Sequence, residues 1–184
     1  FTSETTSIPC GSGTASFDVT TSTLTLTNAT INTMGGNYGY GGAINSGLAD
    51  LTIKLVGNNF IHAEHKDYWG DTYRDSINSI SNFKIKIVSG DTGGTPTITC
   101  DVIDMGRGGS YNGGENAGNL MVDGVDLTVN DYVFVQHDIT FQNGAQVNVT
   151  GRLTANHNAV ITVEGENTDV TVKSISLGNG TAHL

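Results

Sequence analysis

Residues 50–61 read DLTIKLVGNNFI and contain the clearest example of a pattern that returns along the chain. Two runs rich in aliphatic and strand-forming residues flank a corner at Gly57, and apolar and polar residues alternate in the first run. A period of two places successive side chains on opposite faces of a β-strand. The stretch therefore predicts two strands joined by a corner, with an aliphatic inner face and a polar outer face.

The same phrase of strand, corner and strand occurs six times along the chain. The copies are TLTLTNATI (23–31), DLTIKLVGNNFI (50–61), NFKIKIVSGD (82–91), NLMVDGVDLTVND (119–131), DITFQNGAQVNVTG (138–151) and AVITVEGENTDVTVKSI (159–175). Their corners are Asn28, Gly57, Gly90, Gly124, Gly144 and Gly165, spaced 29, 33, 34, 20 and 21 residues apart. Such a phrase cannot bury its own apolar face but can stack it on its neighbours, which is typical of a solenoid.

The spacing predicts an all-β protein: a single-stranded parallel β-helix with a basic coil of about 20 residues and three inserted loops. We expect an N-terminal leader or cap over residues 1–15 and the β-helix over 16–184. An antiparallel β-sandwich is the alternative, because the Asp-Gly pair at 123–124 and the Asn-Gly pair at 143–144 are favoured in hairpins. Near-equal spacing favours the solenoid, since a sandwich needs no fixed period.

The charge and the chain's opening residues limit the partners. Eighteen acidic residues against eight basic ones give a formal net charge of −10, which repels phosphate backbones and anionic membranes. We therefore expect no nucleic-acid partner. No apolar run is long enough to cross a bilayer, and the opening FTSETTSIPC has neither an initiator Met nor a signal-peptide core. These features predict a mature or trimmed segment of a secreted or cell-surface protein without membrane insertion.

Three insertions lengthen the first coils: residues 34–43, 62–75 and 104–117. Each lies between one two-strand phrase and the strand that leads to the next corner. We therefore expect all three to leave the solenoid from one edge, on adjacent coils. They hold five of the six tyrosines and the single tryptophan, so their rings would gather on one surface.

Such a surface suits sugars, because a pyranose packs its C–H face on an aromatic ring while its hydroxyls need donors and acceptors. The candidate ligand-binding residues are Tyr38, Tyr40, His62, Asp67, Tyr68, Trp69, Asp71, Tyr73, Arg74, Arg107 and Tyr111. In the alternative interpretation the insertions only cover the side of the solenoid, and Trp69 anchors its own loop. Asp67, Asp71 and Asp75 have a spacing that could line one face of a short helix.

A calcium site is a second candidate. The acidic, Gly-rich segments CDVIDMG and VDGVDLTVND place carboxylates near corners, where they and backbone carbonyls can surround a hard cation. The candidate metal residues are Asp101, Asp104, Asp123 and Asp126, with Asp131 nearby. No segment matches an EF-hand loop, and the alternative is that each Asp caps its corner by hydrogen bonding. The pair His62 and His65 lacks further ligands at a usual zinc spacing.

The two cysteines, Cys10 and Cys100, are too far apart in sequence for a metal knuckle. In an oxidising compartment they would form a disulfide that pins the leader to the middle of the domain, contributing about 2–4 kcal/mol. The equal alternative is a pair of buried, reduced thiols.

The phrases LTLTNATI, GAINSGLADLTIKLVGNNFI and GNLMVDGVDLTVND resemble the coils of a family of bacterial secreted β-helix proteins described as carbohydrate-binding domains. The resemblance covers residues 16–175. It implies a right-handed parallel β-helix like that of polysaccharide lyases, binding to cell-wall or plant polysaccharides such as cellulose and pectin, and an association with calcium. The three insertions depart from the family's simple repeat.

The sequence predicts a noncatalytic polysaccharide-binding protein, and other function classes stay open. A lyase acting on acidic glycans would need a basic residue as proton acceptor, and Lys54, Lys84 and Lys86 could form an exposed basic stripe. A structural or adhesin role needs only the solenoid. An ice-binding threonine ladder is suggested by TLTLT and TITC, but the three lysines argue against it. The C-terminal coil, SLGNGTAHL, has no amphipathic cap, which predicts self-association or an adjoining domain.

Overall fold

The computed structural model describes residues 6–37, 42–66, 72–79, 84–90, 93–105, 118–156, 158–178 and 181–183. These residues form an all-β protein and include no helix, so none of them forms a helical membrane span. In chain order the strands are β1 (Ser7–Cys10), β2 (Gly13–Asp18), β3 (Thr23–Thr27), β4 (Thr30–Asn37), β5 (Ile44–Ser46), β6 (Asp50–Val56), β7 (Asn58–Lys66), β8 (Thr72–Tyr73), β9 (Asp75–Ser79), β10 (Lys84–Ser89), β11 (Thr97–Cys100), β12 (Val102–Met105), β13 (Asn119–Asp123), β14 (Asp126–Val129), β15 (Val133–Val135), β16 (Ile139–Gln142), β17 (Gln146–Ala155), β18 (Val160–Val163), β19 (Asp169–Leu177) and β20 (Thr181–His183).

The strands form three parallel rows, which we call A, B and C. Row A contains β3, β6, β10, β13, β16, β18 and β20, and row B contains β4, β7, β11, β14 and the first parts of β17 and β19. Row C contains β5, β9, β12, β15 and the second parts of β17 and β19. A repeat is one pass of the chain through A, B and C, and each row pairs strands of successive repeats.

Rows B and C belong to one eleven-stranded sheet because β17 serves both. Its first part pairs with β14 and its second part with β15, with a register shift between Val149 and Arg152. The shift lies at the bend from row B to row C. In the earlier repeats the strands of rows B and C are separate elements on either side of this bend. The strands of row C are short, and the two-strand phrase of the sequence did not reveal them.

Parallel pairing excludes the antiparallel sandwich for the described residues. Their antiparallel pairs are β1 with β2, β2 with β3, and β7 with β8. The Asp-Gly and Asn-Gly pairs do form corners, with Gly124 at φ +62°, Asn143 at +56° and Gly144 at +80°. The two strands at each of these corners belong to different rows instead of pairing as a hairpin, because each strand pairs with the next repeat.

The core consists of inward columns that run from repeat to repeat. The alternation seen in the sequence holds: Ile85 and Ile87 of β10 are buried, whereas Lys84 and Lys86 are exposed. One column of row A is formed, in register, by Leu24, Ile53, Ile87, Val122, Phe141 and Val163. Each fully buried side chain of this kind contributes about 1.5–3 kcal/mol, so the stacked columns supply the main stabilisation.

The turns from row A to row B are held by asparagine as well as by glycine. Asn59 is buried, and its side-chain oxygen accepts a hydrogen bond from the Ala29 amide at 2.9 Å. Its amide nitrogen donates to the carbonyls of Val56, Gly57 and Thr97, each at 3.3 Å. This side chain therefore links the turns of three successive repeats.

Gly57 must be glycine at this turn. Its φ of +66° is a left-handed conformation that costs other residues energy. A Cβ there would lie 2.1 Å from Oδ1 of Asn28, which accepts a hydrogen bond from the Asn58 amide at 3.1 Å. The predicted corners at Asn28 and Gly57 are thus stacked on one another.

The N-terminal strands β1 and β2 extend row A beyond β3. Both pair antiparallel, in contrast to the other strands of the row. Ala15 of β2 is buried in the core, and a Cβ on Gly13 would lie 2.1 Å from the Thr27 carbonyl oxygen. The predicted boundary between leader and domain at residues 15–16 thus falls inside β2.

Candidate functional site

The insertions border row C, but they do not share one edge. The first lies between β4 and β5 and the second between β7 and β9, so both leave at the bend from row B to row C on adjacent repeats. The third lies between β12 and β13, at the opposite end of row C. The prediction of one shared edge is wrong for the third insertion, because sequence spacing counts inserted residues without identifying the bend that carries them.

The second insertion begins and ends in strands. β7 continues to Lys66, past the level at which β11 ends, and pairs there with β4. Its far end forms a short antiparallel pair with β8, matching His65 with Tyr73. Asp75 starts β9, so the helix considered for the Asp67, Asp71 and Asp75 series is not formed by residues 72–79.

Of the predicted ligand-binding residues, the structure describes a minority. His62 is half-buried in β7, Tyr73 lies in β8, and Arg74 is exposed between β8 and β9. The others lie outside the described residues, and they are Tyr38, Tyr40, Asp67, Tyr68, Trp69, Asp71, Arg107 and Tyr111. The assembly of these rings on one surface stays a prediction.

A polar cluster occupies the bend between rows B and C. The His62 imidazole contacts the Asp101 carboxylate through Nδ1, and Asn130 of the next repeat donates to the same carboxylate at 3.3 Å. The side chain of Asp101 is 11% exposed and that of His62 is 25% exposed. Asp101 therefore holds the His62 imidazole through Nδ1, so Nε2 is on the side of the ring away from the carboxylate. His62 is also the first residue of the second insertion.

Ser76 completes this bend. Its hydroxyl donates to the Ile61 carbonyl at 3.2 Å and accepts from the Asp101 amide at 2.9 Å. Ser76 is fully buried. The Ser76 hydroxyl thus connects the backbone of Ile61 with that of Asp101 at the point where β7 continues beyond the end of β11. Nothing in the local sequence pattern distinguishes Ser76, because its role depends on where β7 continues beyond the end of β11, which only the register shows.

A groove of about 360 Å³ lies on the outer face of row C, in the repeats without insertions. It is lined by Asp131, Tyr132, Phe134, Arg152 and Thr154. Tyr132 and Phe134 are half-buried and Arg152 is exposed. The groove therefore combines two aromatic rings with charged and hydroxyl groups.

Strand alternation explains why these side chains point outward. Val133 and Leu153 are inward and paired in register, so their outward neighbours Phe134 and Thr154 lie side by side. Gly151 allows the preceding bend to close, because a Cβ there would lie 2.2 Å from the Asp131 carbonyl oxygen. The sequence signal was present in YVFV and GRLT, but neither segment belongs to an insertion.

The predicted calcium carboxylates do not converge on one another. Asp123 accepts hydrogen bonds from Gln142 and Asn143 of the next repeat, each at 2.8 Å, which is the corner-capping role. Asp126 faces outward on row B between Thr97 and Gln146. The described residues contain no group of three or more His, Cys, Asp or Glu that could hold a metal. A calcium site stays a prediction.

Asp104 has a different environment from the other three. It is 3% exposed on row C, and its carboxylate accepts a hydrogen bond from the Tyr132 hydroxyl at 3.4 Å. In register it lies above Phe134. Asp104 therefore belongs to the surroundings of the row C groove.

Cys10 and Cys100 are both buried free thiols. Cys100 lies in an inward column of row B, and Cys10 lies in β1 at the end of row A. No disulfide joins them in the structure, which agrees with the alternative of two buried thiols. Burial, with a smaller contribution from the Asp101 carboxylate, raises the pKa of Cys100 well above its usual range.

The lysines considered for lyase chemistry lie on row A. Lys84 and Lys86 line a shallow groove of about 520 Å³ that also contains Asp50, Asp138 and Met121. Acidic groups therefore accompany the basic ones, and none of the residues that line this groove is aromatic.

The lysines do not interrupt the possible threonine ladder of row B. Thr99 belongs to row B, where the outward column in register is Thr30, Phe60, Thr99, Thr128, Asn148 and Thr171. The exposed ring of Phe60 breaks this column. In row A, which contains the TLTLT strand, the lysines do interrupt the threonine columns, because Thr25 pairs with Lys54 and Thr52 with Lys86. The argument against an ice-binding ladder therefore rests on the lysines in row A and on Phe60 in row B.

Comparison with known proteins adds no relative. No family model matches the chain, and neither a curated protein nor a solved structure is significantly similar to it.

Proposed function

We propose that this protein binds polysaccharides without catalysing their cleavage, at row C and the insertions that border it. The supporting observation is that all three insertions begin or end beside row C, where the groove with two aromatic rings also lies. The binding surface is then a face bounded by two bends, instead of a single edge. Secretion or display at the cell surface, as in the bacterial family that the sequence resembles, belongs to the same proposal.

The fold proposed with this function is a right-handed parallel β-helix. Its support is the in-register stacking of six repeats in three parallel rows. The right-handed sense follows the general preference of parallel strand crossovers. This geometry would place the insertions at successive heights along one side of a rigid rod, where a long polymer can contact several of them.

A binding role has more support than a lyase role. Abstraction of a proton next to a uronate requires a basic group and a cation or other positive charge for the carboxylate. Lys84 and Lys86 lie on row A among acidic groups, in a different groove from the one that contains Tyr132 and Phe134. The dyad of His62 and Asp101 could orient a general base, but the described residues place no cationic group in contact with it.

Retention on polysaccharides tests the proposal. The parent protein, Trp69→Ala and Tyr73→Ala are run through native gels that contain a soluble β-glucan, arabinoxylan, galactomannan or polygalacturonate. We expect at least one gel to retard the parent and both variants to migrate faster in that gel. Phe60→Ala is the matched control, because its exposed ring lies on row B, and it should migrate like the parent.

Two results would count against the proposal. If the parent is not retarded by any of the four polysaccharides, polysaccharide binding is contradicted. If polygalacturonate instead yields an unsaturated product that absorbs ultraviolet light, the lyase alternative replaces it.

A further inference from the structure

We propose that the row C groove is a subsite for one pyranose ring of a neutral glycan, separate from the rings of the insertions. This inference rests on the proposed function and assigns a particular place and ligand class to it. The residues that form the subsite are Tyr132 and Phe134 of one repeat and Arg152 and Thr154 of the next.

The two rings supply the apolar part of the subsite. Tyr132 and Phe134 are two residues apart across the inward Val133, so both project from the same face of the chain. Half-burial leaves part of each ring accessible. Aromatic surfaces of this kind, beside hydrogen-bonding groups, are the usual platform for the C–H face of a sugar.

Contacts with the preceding repeat hold the Tyr132 ring in place. Its hydroxyl donates to the buried Asp104 carboxylate, and its backbone carbonyl accepts from the Ile103 amide at 3.1 Å. Because both contacts are to the preceding repeat, the ring is positioned before a ligand arrives. Pre-organisation of this kind reduces the entropy lost on binding.

The polar groups favour hydroxyls over carboxylates. Arg152 offers several N–H donors and Thr154 a hydroxyl, while Asp131 offers acceptors on the same groove. The Asp131 carboxylate accompanies the Arg152 guanidinium among the described residues that line the groove, and the whole chain carries a formal net charge of −10. This negative field would repel a uronate, whereas sugar hydroxyls can both donate and accept.

The size of the groove limits the occupant. At about 360 Å³ it is near the lower end of the range of about 300–1,000 Å³ for small-molecule sites. The site therefore fits a single ring of a longer chain, and the rest of the polymer would pass over the neighbouring part of row C.

The experiment uses the intact chain and the same four polysaccharides. Dissociation constants are measured by affinity electrophoresis for the parent, Phe134→Ala and Arg152→Gln. Phe60→Ala is the ring control on row B, and Lys86→Gln is the charge control on row A. Thermal unfolding of each variant verifies that it is folded, and the Arg152 variant tests the site without changing a ring.

We expect each groove variant to weaken binding of a neutral polysaccharide roughly tenfold, with both controls within about twofold of the parent. Binding of neutral glycans with parental affinity by Phe134→Ala and Arg152→Gln would overturn the subsite while leaving polysaccharide binding intact. Binding restricted to polygalacturonate would overturn the neutral ligand class. A parent that binds none of the four would overturn the proposed function and the subsite together.

Discussion

Rows A and C are built by the same parallel stacking, yet they differ in almost every other respect. Row A has strands of three to seven residues, two continuous apolar columns and outward Thr and Lys side chains. Row C has strands of three to five residues outside β17 and β19, a buried Asp104 and insertions at both ends. Row A is organised for stability, whereas row C accommodates polar groups and irregular chain.

The difference has a physical cause. A long strand provides enough inward positions to bury several aliphatic side chains, so interruption of it would be costly. A short strand next to a bend buries few such groups, and an insertion there breaks little pairing. Side chains that do not pack in the core are then available for contact with a ligand.

The largest expected difference between the rows comes from replacing their phenylalanines. Phe141 of row A is 1% exposed, so Phe141→Ala should lower the free energy of unfolding by about 3–5 kcal/mol. Phe134 of row C faces outward, and Phe134→Ala should cost less than about 1.5 kcal/mol. Chemical denaturation monitored by circular dichroism measures both. Equal costs would contradict the division between a row whose phenylalanine stabilises the core and a row whose phenylalanine lies at the surface.

A smaller effect is expected at the bend that leads into row C. Asp101→Ala removes the acceptor of both His62 and Asn130 and should cost about 1–3 kcal/mol. Asp126→Ala, an outward change on row B, is the control and should cost less than about 0.5 kcal/mol. Denaturation midpoints with unchanged m-values would measure the difference. If the two variants are equally stable, the bend does not depend on the cluster.

The smallest effect is expected at the end of row A, in the turn between β2 and β3. The Thr21 hydroxyl and the Thr20 amide donate to the Asp18 carboxylate at 2.9 and 2.8 Å and lower its pKa. A lowered folded-state pKa adds stability above the unfolded-state pKa, and this stability is lost as the pH falls through the folded-state value.

Asp18→Asn should therefore lower Tm slightly at pH 7. The difference in Tm from the parent should shrink as the pH falls below about 3.8, the usual aspartate pKa. Melting curves at stepped pH values measure it. A difference that grows on acidification would contradict the assigned hydrogen bonds.

Much of the fold could be predicted from local pattern. The alternation correctly identified Leu51, Ile53 and Leu55 of DLTIKLV and Ile85 and Ile87 of NFKIKIV as inward residues, and Phe83 lies outside the described residues. Five of the six predicted corners have a residue with positive φ, and the exception is Gly90. The glycine at 90 instead meets a different constraint, because a Cβ would lie 2.8 Å from the Leu55 carbonyl oxygen.

The candidate site could be predicted less well. The insertions are visible in the sequence because they lengthen the spacing between corners and because they are rich in aromatic residues. Phe134 and Arg152 were not selected, because they belong to repeats of regular length and resemble ordinary outward strand residues. Likewise, Asp101 was considered for a metal, but its contact with His62 connects residues that are 39 positions apart.

Local pattern in the chain was enough to predict strands of rows A and B, their inward faces and the positions of the corners, because these depend on side-chain periodicity and on the conformations that Gly and Asn allow. The third row, the bend from which each insertion leaves and the contact of Tyr132 with Asp104 were visible only in the folded protein. Those features depend on the register between repeats, and register is set by the packing of whole columns of side chains, which no single repeat contains.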